Sequence, residues 1–438
     1  MFFQELHNLF KSHTKGEGFK NFIRLLTVDS LVKISGIILL PIYLQLMSPD
    51  DFGLFGYLTA LVGYLATAVS GGLFVVQSKL YFEHRDRPQN VFYTLNSLLL
   101  IFVGLIFVVI VVFDVDQKLF FLFFRHPISF SEFRWPFLVG VLGSVFSFML
   151  VNYYLASQQI KRLQLFNLLR IALIHVVAII LLMLLRSQNG ALIRLASTSV
   201  IEVILLVCFG ALLFKSSEKL TFNWAIAKRG FLLVYPIALY TVFSLVIFLS
   251  DRFCLERFGT RQDLAVYNLA WTLAGVIPFV SNSLHNIWMP QLLQEKSNAA
   301  LLAKSKKMAL KLIMGFSIVA VLIWSLTKFL LVFGVFRQEY NDVISVLPFV
   351  LCGVIFLSLF QLNFNYLVGI SRFKVFMWVG VAVGLLSVII APFLVKKSGV
   401  MGASISMMAM NFSLLAGSLG FTIFYNLNRQ INPDENRY

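Results

Sequence analysis

Three charged residues interrupt an apolar stretch near the start of the chain, between residues 22 and 46. They are Arg24, Asp29 and Lys33. In a helix, Lys33 lies about 16 Å beyond residue 22, near the middle of a bilayer, where a lysine costs on the order of 3 kcal/mol. Asp29 and Lys33 share a helix face, so one interpretation is that they neutralise each other. The other is that Arg24 and Lys33 line a pathway that binds an anion, with Asp29 as an ion carrier.

A second group of ionisable residues lies in two later apolar stretches. Arg170 and His175 lie in residues 164–185, and Glu202 lies in the antiparallel stretch that follows. Both His175 and Glu202 fall near mid-depth, so we expect them to meet. Such a pair is either a packing hydrogen bond or a proton carrier. Arg170 adds a further cation to this half of the chain, and a cavity with that charge favours an anion.

The second half of the chain is polar mainly through amides. Asn282 and Asn286 share one helix face, and Gln361 and Asn365 share another. Amides between membrane helices are often only packing contacts, but two such faces also suit hydrogen bonding to sugar hydroxyls. Arg252 lies a turn deeper than an interfacial residue requires. We therefore include it among the cations expected to bind an anionic headgroup.

The chain that carries these residues has the composition of a membrane protein. Of its 438 residues, 59% are hydrophobic and 13% are charged, whereas a soluble domain has about 25% charged residues. Apolar runs of about twenty residues recur along the chain, and nothing alternates as in a barrel strand, which predicts an all-α integral membrane protein. No cleavable signal peptide is visible. Residues 1–20 suit either an amphipathic segment on the membrane surface or a frayed tail.

The apolar runs predict twelve spans in two lobes of six. The predicted spans are 22–46, 53–78, 91–113, 134–157, 164–185, 191–213, 231–256, 263–289, 308–333, 342–368, 375–394 and 401–425. The predicted organisation is an N-terminal segment 1–20, a first lobe 21–214, a connector 215–230, a second lobe 231–425 and a tail 426–438.

The basic residues predict the orientation of these spans. The net charge is +16, but the cations are spread over short loops, so we expect no nucleic-acid partner. With the N-terminus inside, 20 of the 36 lysines and arginines fall on the cytoplasmic side and 10 outside. The ten outside cations include Arg125, Arg194 and Arg337. The positive-inside rule therefore places both termini in the cytoplasm.

A weak internal repeat relates the two lobes. A shift of 212 residues places Asp51 on Asp263 and Gly63 on Gly275, in one register through a turn and the following helix. A shift of six spans preserves orientation. The halves would then be parallel repeats about a pseudo-two-fold axis along the membrane normal.

The chain lacks the sequence motifs of nucleotide hydrolysis and of metal binding. No GxxxxGK[ST] loop is present, so nucleotide hydrolysis is not expected to act directly. Cys208, Cys254 and Cys352 lack metal-ligand spacing and lie within apolar spans. We expect no metal, no cofactor and no enzymatic activity.

Three segments resemble the Wzx-type polysaccharide or oligosaccharide flippases of the MOP (multidrug/oligosaccharidyl-lipid/polysaccharide) exporter superfamily. They are LLPIYLQLMSPDDFGLFGYLTALVGYL at 39–65, SKLYFEHRDR at 78–87 and LSDRFCLERFGTRQDLAVYNLAWTLAGVIP at 249–278. The Pro–Asp–Asp–Phe–Gly turn followed by a tyrosine is the most specific feature. Where the family often has Gly-Xaa-Tyr after the second-half turn, this chain has Ala265-Val266-Tyr267.

The resemblance implies two six-helix lobes in a V that opens alternately to either side. It implies a polyprenyl-pyrophosphate-linked glycan as substrate, moved from the cytoplasmic to the outer leaflet of a bacterial inner membrane. Membrane lipids and a polysaccharide polymerase or ligase are the expected partners. An ion gradient would then drive transport, with Asp29, His175 and Glu202 as the candidate carriers.

Three other functions stay open at this point. A multidrug antiporter of the same superfamily would use a similar fold, but the cationic first lobe argues against it. A membrane glycosyltransferase or polymerase would need a larger outer loop with carboxylates than the sequence provides. A structural or receptor protein would leave the mid-membrane charge of Lys33 without a purpose.

Overall fold

The computed structural model describes residues 35–84, 88–118, 124–125, 130–157, 159–185, 189–215, 221–282, 284, 298–369 and 374–431. Within these residues the regular structure is helical, without strands. The helices are α1 Leu40–Leu46, α2 Pro49–Ser70, α3 Leu73–Glu83, α4 Pro88–Val112, α5 Phe130–Ala156, α6 Ile160–Leu184, α7 Gly190–Lys215, α8 Trp224–Phe258, α9 Arg261–Ala274, α10 Asn298–Val332, α11 Val343–Gly369 and α12 Lys374–Ile431.

The described part of the chain contains 10 helical segments long and apolar enough to cross a membrane. The last one covers Val375–Phe424, which is long enough for two crossings. It bends at Gly399, whose φ of +54° lies outside the helical region. The bend separates the predicted spans 375–394 and 401–425, so α12 accounts for both.

The predicted second span is not one continuous helix. Gly71 and Gly72 adopt φ values of +55° and +75° and break it into α2 and α3. Glycine tolerates this left-handed conformation at little cost. A Cβ on Gly72 would also collide with the side chain of Ile237 in α8. The break therefore allows close contact with the second half of the chain, which hydropathy alone does not reveal.

The helices pack in two groups that meet along a narrow set of contacts. In the first half α5 packs against α2, α3 and α7, and α7 also packs against α6. In the second half α12 packs against α8 and α11, and α11 also packs against α9 and α10. Helices α2 and α9 form the main contact between the halves, with α8 also packing against α2, α3 and α4.

The two central helices begin with the same capping arrangement. Ser48 accepts a hydrogen bond from the Asp51 backbone N–H at 3.1 Å and starts α2. Thr260 accepts one from the Asp263 N–H at 3.1 Å and starts α9. Capping side chains satisfy N–H groups that have no partner within the helix. The two capping residues, Ser48 and Thr260, are 212 positions apart, and so are the two donors, Asp51 and Asp263. This spacing agrees with the predicted repeat.

Equivalent positions of the repeat touch one another where α2 crosses α9. A Cβ on Gly53 would lie 2.8 Å from the backbone nitrogen of Ala265, and a Cβ on Gly56 would collide with Asn268. Residues 53 and 265, like 56 and 268, are 212 apart. When a two-fold axis relates two residues, they can be in contact only if both lie beside that axis. The pseudo-two-fold axis therefore passes between α2 and α9.

Candidate functional site

A cavity of about 400 Å³ lies between the two halves. Proteins bind small ligands in cavities of about 300–1,000 Å³. Its walls come from both halves of the chain and from three further helices besides α2 and α9. The lining residues are Gly36, Leu40, Phe52, Phe55, Gly56, Thr59, Ala60, Gly63, Tyr64, Thr67, Arg194, Arg252, Asn268 and Thr272.

Helix α2 provides one continuous wall of this cavity. Its lining residues run from Phe52 to Thr67 at intervals of three and four, which is the spacing of one helix face. At 1.5 Å per residue, the wall extends for about 22 Å along the helix. The opposite wall comes from Asn268 and Thr272, four residues apart on α9. The cavity therefore has a row of hydroxyl and amide groups deep between the halves.

Arg194 enters the cavity from α7, one turn after the helix begins. Its guanidinium carbon lies 3.6 Å from the ring centroid of Tyr43 and 4.0 Å from that of Phe55. The guanidinium is therefore held between two aromatic faces, an attraction of about 1 kcal/mol or more at partly buried sites. This sandwich restricts the arginine without neutralising its charge.

Arg252 enters the same cavity from α8, in the other half of the chain. Its guanidinium lies 5.0 Å from the Trp271 ring centroid and 5.9 Å from that of Tyr267. The Nε atom of this buried side chain has no hydrogen-bond partner among the described residues. The neighbouring Asp251 carboxylate accepts hydrogen bonds from the Tyr267 hydroxyl and from the Arg252 backbone N–H.

Two cations therefore face one cavity without an ion pair among the described residues, and the nearest carboxylate to Arg252 is that of its chain neighbour Asp251, which interacts with it electrostatically. Among the residues that the structure describes, neither Arg194 nor Arg252 has a carboxylate within 4.0 Å. An unpaired buried cation is costly, so it is seldom found without a ligand or a function. Together the two guanidinium groups make the cavity electropositive and suited to an anion.

Arg170, predicted to bind an anion, lies in an ion pair instead. Its Nη2 is 2.6 Å from Oε1 of Glu202, and the Glu202 side chain is only 4% exposed. The Arg170 side chain is 35% exposed and does not line the cavity between the halves. The pair connects α6 to α7, so each charge neutralises the other.

His175 contacts a different partner from the one we expected. Its Nδ1 lies 2.8 Å from the Tyr43 hydroxyl, whereas Glu202 pairs with Arg170. Residues 170 and 175 differ by five positions, or about 140° around a helix, so they point toward different neighbours. His175 thereby connects through Tyr43 to Arg194 in the cavity wall.

Two of the four amides predicted to bind sugar, Asn282 and Gln361, are not among the residues that line the cavity. Asn282 is exposed, and the Gln361 side-chain oxygen is buried without a hydrogen-bond partner among the described residues. Asn268 and Thr272 provide the uncharged polar groups of the second half that line the cavity. Arg24, Asp29, Lys33, Asn286 and the side chain of Asn365 lie outside the described residues.

The interface is closed at the end where α2 and α9 begin. The rings of Phe52 and Tyr340 meet edge to face with centroids 6.2 Å apart, and Asn268 donates to the Phe52 carbonyl at 3.3 Å. Burial raises the pKa of the Tyr340 hydroxyl above its ordinary value, so this phenol stays neutral. We call this end, near Ser48 and Thr260, the capped end.

Sequence reasoning did not identify Arg194, which it assigned to an outer loop. The signal was weak because Arg194 lies one turn inside α7, at a depth where an arginine can reach the interface. Its aromatic partners come from α1 and α2, far away in sequence. In the described part of the chain, no group of three His, Cys, Asp or Glu side chains is placed to hold a metal ion.

A helical membrane protein with two packed halves and a charged cavity between them has the architecture of a transporter. The family described as "Polysaccharide biosynthesis protein" matches residues 19–296. This is more than half of the chain, so the protein belongs to that family, the Wzx-type flippase family. No curated protein matches the chain.

Solved structures of MATE transporters share the fold. A MATE structure in the straight conformation aligns with a TM-score of 0.65 at 16% identity, over 95% of this chain and 98% of that one. An inward-facing multidrug resistance MATE transporter of the MOP superfamily aligns with a TM-score of 0.63 at 15% identity, over 93% and 95%. An outward-facing one gives 0.61 at 15%, over 94% and 96%. The predicted all-α fold of twelve helices in two lobes is confirmed.

Proposed function

We propose that this protein flips a polyprenyl-pyrophosphate-linked oligosaccharide from the cytoplasmic to the outer leaflet of a bacterial inner membrane. The observation that supports this function most directly is the pair Arg194 and Arg252 on one cavity. Guanidinium groups bind phosphate oxygens through parallel charge-assisted hydrogen bonds. A pyrophosphate carries the charge that two unpaired arginines require.

The two arginines come from different halves of the chain. A pyrophosphate held by Arg194 in α7 and Arg252 in α8 would connect the two halves through the ligand. The hydroxyls of Thr59 and Thr67 and the amide of Asn268 would then bond the first sugars. Arg24 and Lys33, on the stretch that precedes α1, would extend the same electropositive surface.

Transport would proceed by alternating access of two lobes, residues 21–214 and 231–425, about the axis between α2 and α9. With both termini in the cytoplasm, the capped end faces outward and is closed in this structure. The cavity would then receive substrate from the cytoplasmic side. A polysaccharide polymerase or ligase would use the product on the outer side.

An ion gradient would supply the energy. Of the candidate carriers, His175 has a direct connection to the cavity through Tyr43 and Arg194. Glu202 is paired with Arg170, and Asp29 would act from the first span. We expect flipping to slow when both proton and sodium gradients are collapsed, and an unchanged rate would rule out this coupling.

The test is translocation of a fluorescent polyprenyl-pyrophosphate glycan in proteoliposomes. We expect flipping by the natural protein and its loss in Arg252→Ala and Lys33→Ala variants that still fold. No flipping of any glycan tried, together with binding of cationic dyes, would favour a multidrug exporter instead. Donor-dependent growth of the glycan in detergent would favour a glycosyltransferase.

A further inference from the structure

Two hydrogen bonds join the halves of the chain at the capped end. Arg125, in the connection between α4 and α5, donates from Nη1 to the carbonyl oxygen of Arg257 at 3.1 Å. Arg337, in the connection between α10 and α11, donates from Nη2 to the carbonyl oxygen of Gln45 at 2.9 Å. The first bond runs from the first half to the second, and the other runs in the reverse direction.

These two bonds are copies of one contact. The donors Arg125 and Arg337 are 212 residues apart, and so are the acceptors Gln45 and Arg257. This is the same shift that relates the two helix caps and the two sides of the α2–α9 crossing. The repeat therefore brings each arginine to the opposite half by the same two-fold operation.

The acceptors explain why arginine is suited to this contact. Gln45 and Arg257 lie in the last turns of α1 and α8, where carbonyl groups lack partners within the helix. The C-terminal end of a helix also carries a partial negative charge that attracts cations. Both helices end alike, with the N–H of Met47 bonded to Tyr43 and that of Gly259 bonded to Leu255.

We propose that Arg125 and Arg337 form a two-fold clasp that holds the capped end of the interface closed. The clasp opens when the cavity opens at that end, and both bonds break in the same movement because one axis relates them. This role rests on the alternating access of the proposed function. It makes both arginines gate residues, distinct from the cavity arginines that contact substrate.

The test measures the distance between the halves by pulsed electron paramagnetic resonance. Spin labels replace the exposed Lys118 and Lys397, in a full-length protein whose natural cysteines are alanine. The variants are Arg125→Ala, Arg337→Ala and the double variant. The matched control is Arg162→Ala, since among the described residues the Arg162 side chain bonds only to Gln159, three residues away in the same half, at 2.9 Å.

We expect each single variant to raise the ratio of open to closed populations about threefold and the double variant to raise it about tenfold, as for exposed charge-assisted contacts. The control should match the natural protein. The charge-preserving pair Arg125→Lys and Arg337→Lys should stay largely closed.

A double variant whose distance distribution equals that of the natural protein would overturn the clasp. The same holds if the Arg162 control opens as far as the double variant. If the double variant does not fold, the two single variants test the proposal instead. The two-fold relation requires both of them to raise the open population equally. The measurement needs no substrate, so a failure of glycan transport would refute the proposed function and leave this test unaffected.

Discussion

Four arginines of this protein lie in two contrasting environments. Arg170 pairs with Glu202, and Arg134 pairs with Asp114 and Asp116 at 2.8 and 2.7 Å. Arg194 and Arg252 face the cavity with aromatic rings as neighbours and no carboxylate within ion-pair distance among the described residues. The charge of a cation in an ion pair is neutralised by the carboxylate, whereas a cation outside an ion pair keeps its charge available for a ligand.

This difference distinguishes two positions that are equivalent in the sequence pattern. Arg170 and Arg252 both interrupt apolar helices, and both were expected to bind an anionic headgroup. The structure places only Arg252 on the cavity between the halves. A partner within 4 Å, rather than depth in the membrane, distinguishes a cation that is already in an ion pair from one whose charge is available to the proposed substrate.

The largest effect should come from reversing a cavity charge. In Arg252→Glu, we expect glycan flipping to fall below about one hundredth of the natural rate, since a charged contact worth about 3 kcal/mol is replaced by repulsion. Flipping in proteoliposomes measures this. Lys397→Glu, the same charge change at an exposed position, is the control, and equal losses in both variants would refute a local role.

The second effect concerns stability rather than transport. Arg170→Leu leaves the buried Glu202 carboxylate without its partner and should destabilise the protein by about 2 kcal/mol, reduced because Arg170 is partly exposed. The thermal unfolding midpoint should fall while flipping per folded molecule is retained. The double variant Arg170→Leu with Glu202→Leu should recover most of the midpoint. A loss of flipping with an unchanged midpoint would place Arg170 among the binding residues.

A smaller effect should follow from Tyr43→Phe. This change removes the hydroxyl that bonds to His175 and also interacts with Arg194, but it keeps the ring against Arg194. We expect a loss of about 1 kcal/mol, or roughly fivefold in flipping rate, and a weaker dependence on an imposed proton gradient. Tyr43→Leu, which also removes the ring, should lose more. Equal rates for the two variants would argue against the aromatic support of Arg194.

The smallest effect should come from Arg134→Gln. This ion-pair group lies near the end of α4, where the Asp114 side chain is 51% exposed. Exposed pairs contribute about 0–1 kcal/mol and are screened by salt. We expect a midpoint shift of less than about 3 °C and no change in flipping. A loss of transport here would extend the binding region well beyond the cavity.

Much of the fold could be predicted from the sequence because hydropathy and the 212-residue repeat are local or regular signals. Both helix caps fall where the repeat places them. The break at Gly71 and Gly72 was missed because two glycines within an apolar run do not alter its mean hydropathy. Only the contact with Ile237 reveals why that bend is needed.

The site was harder to predict because it depends on which residues meet across the interface. The depth of Arg252 in its span singled it out in the sequence, and the structure places it on the cavity; that it binds an anionic headgroup stays a prediction. Arg194 could not be singled out in this way, because its exposure to the cavity depends on Tyr43 and Phe55, more than one hundred residues away in sequence. The pairing of His175 with Tyr43 likewise depends on helix rotation, which spacing within one span does not determine.

The most direct test of the proposed headgroup site is the affinity of the purified protein for polyprenyl pyrophosphate relative to polyprenol of the same length, measured by native mass spectrometry. We expect a preference of about thirtyfold or more for the pyrophosphate, as for two charged contacts. Arg194→Gln with Arg252→Gln should abolish that preference, while Arg170→Leu with Glu202→Leu keeps it. The same preference in all three proteins would contradict a headgroup site at Arg194 and Arg252.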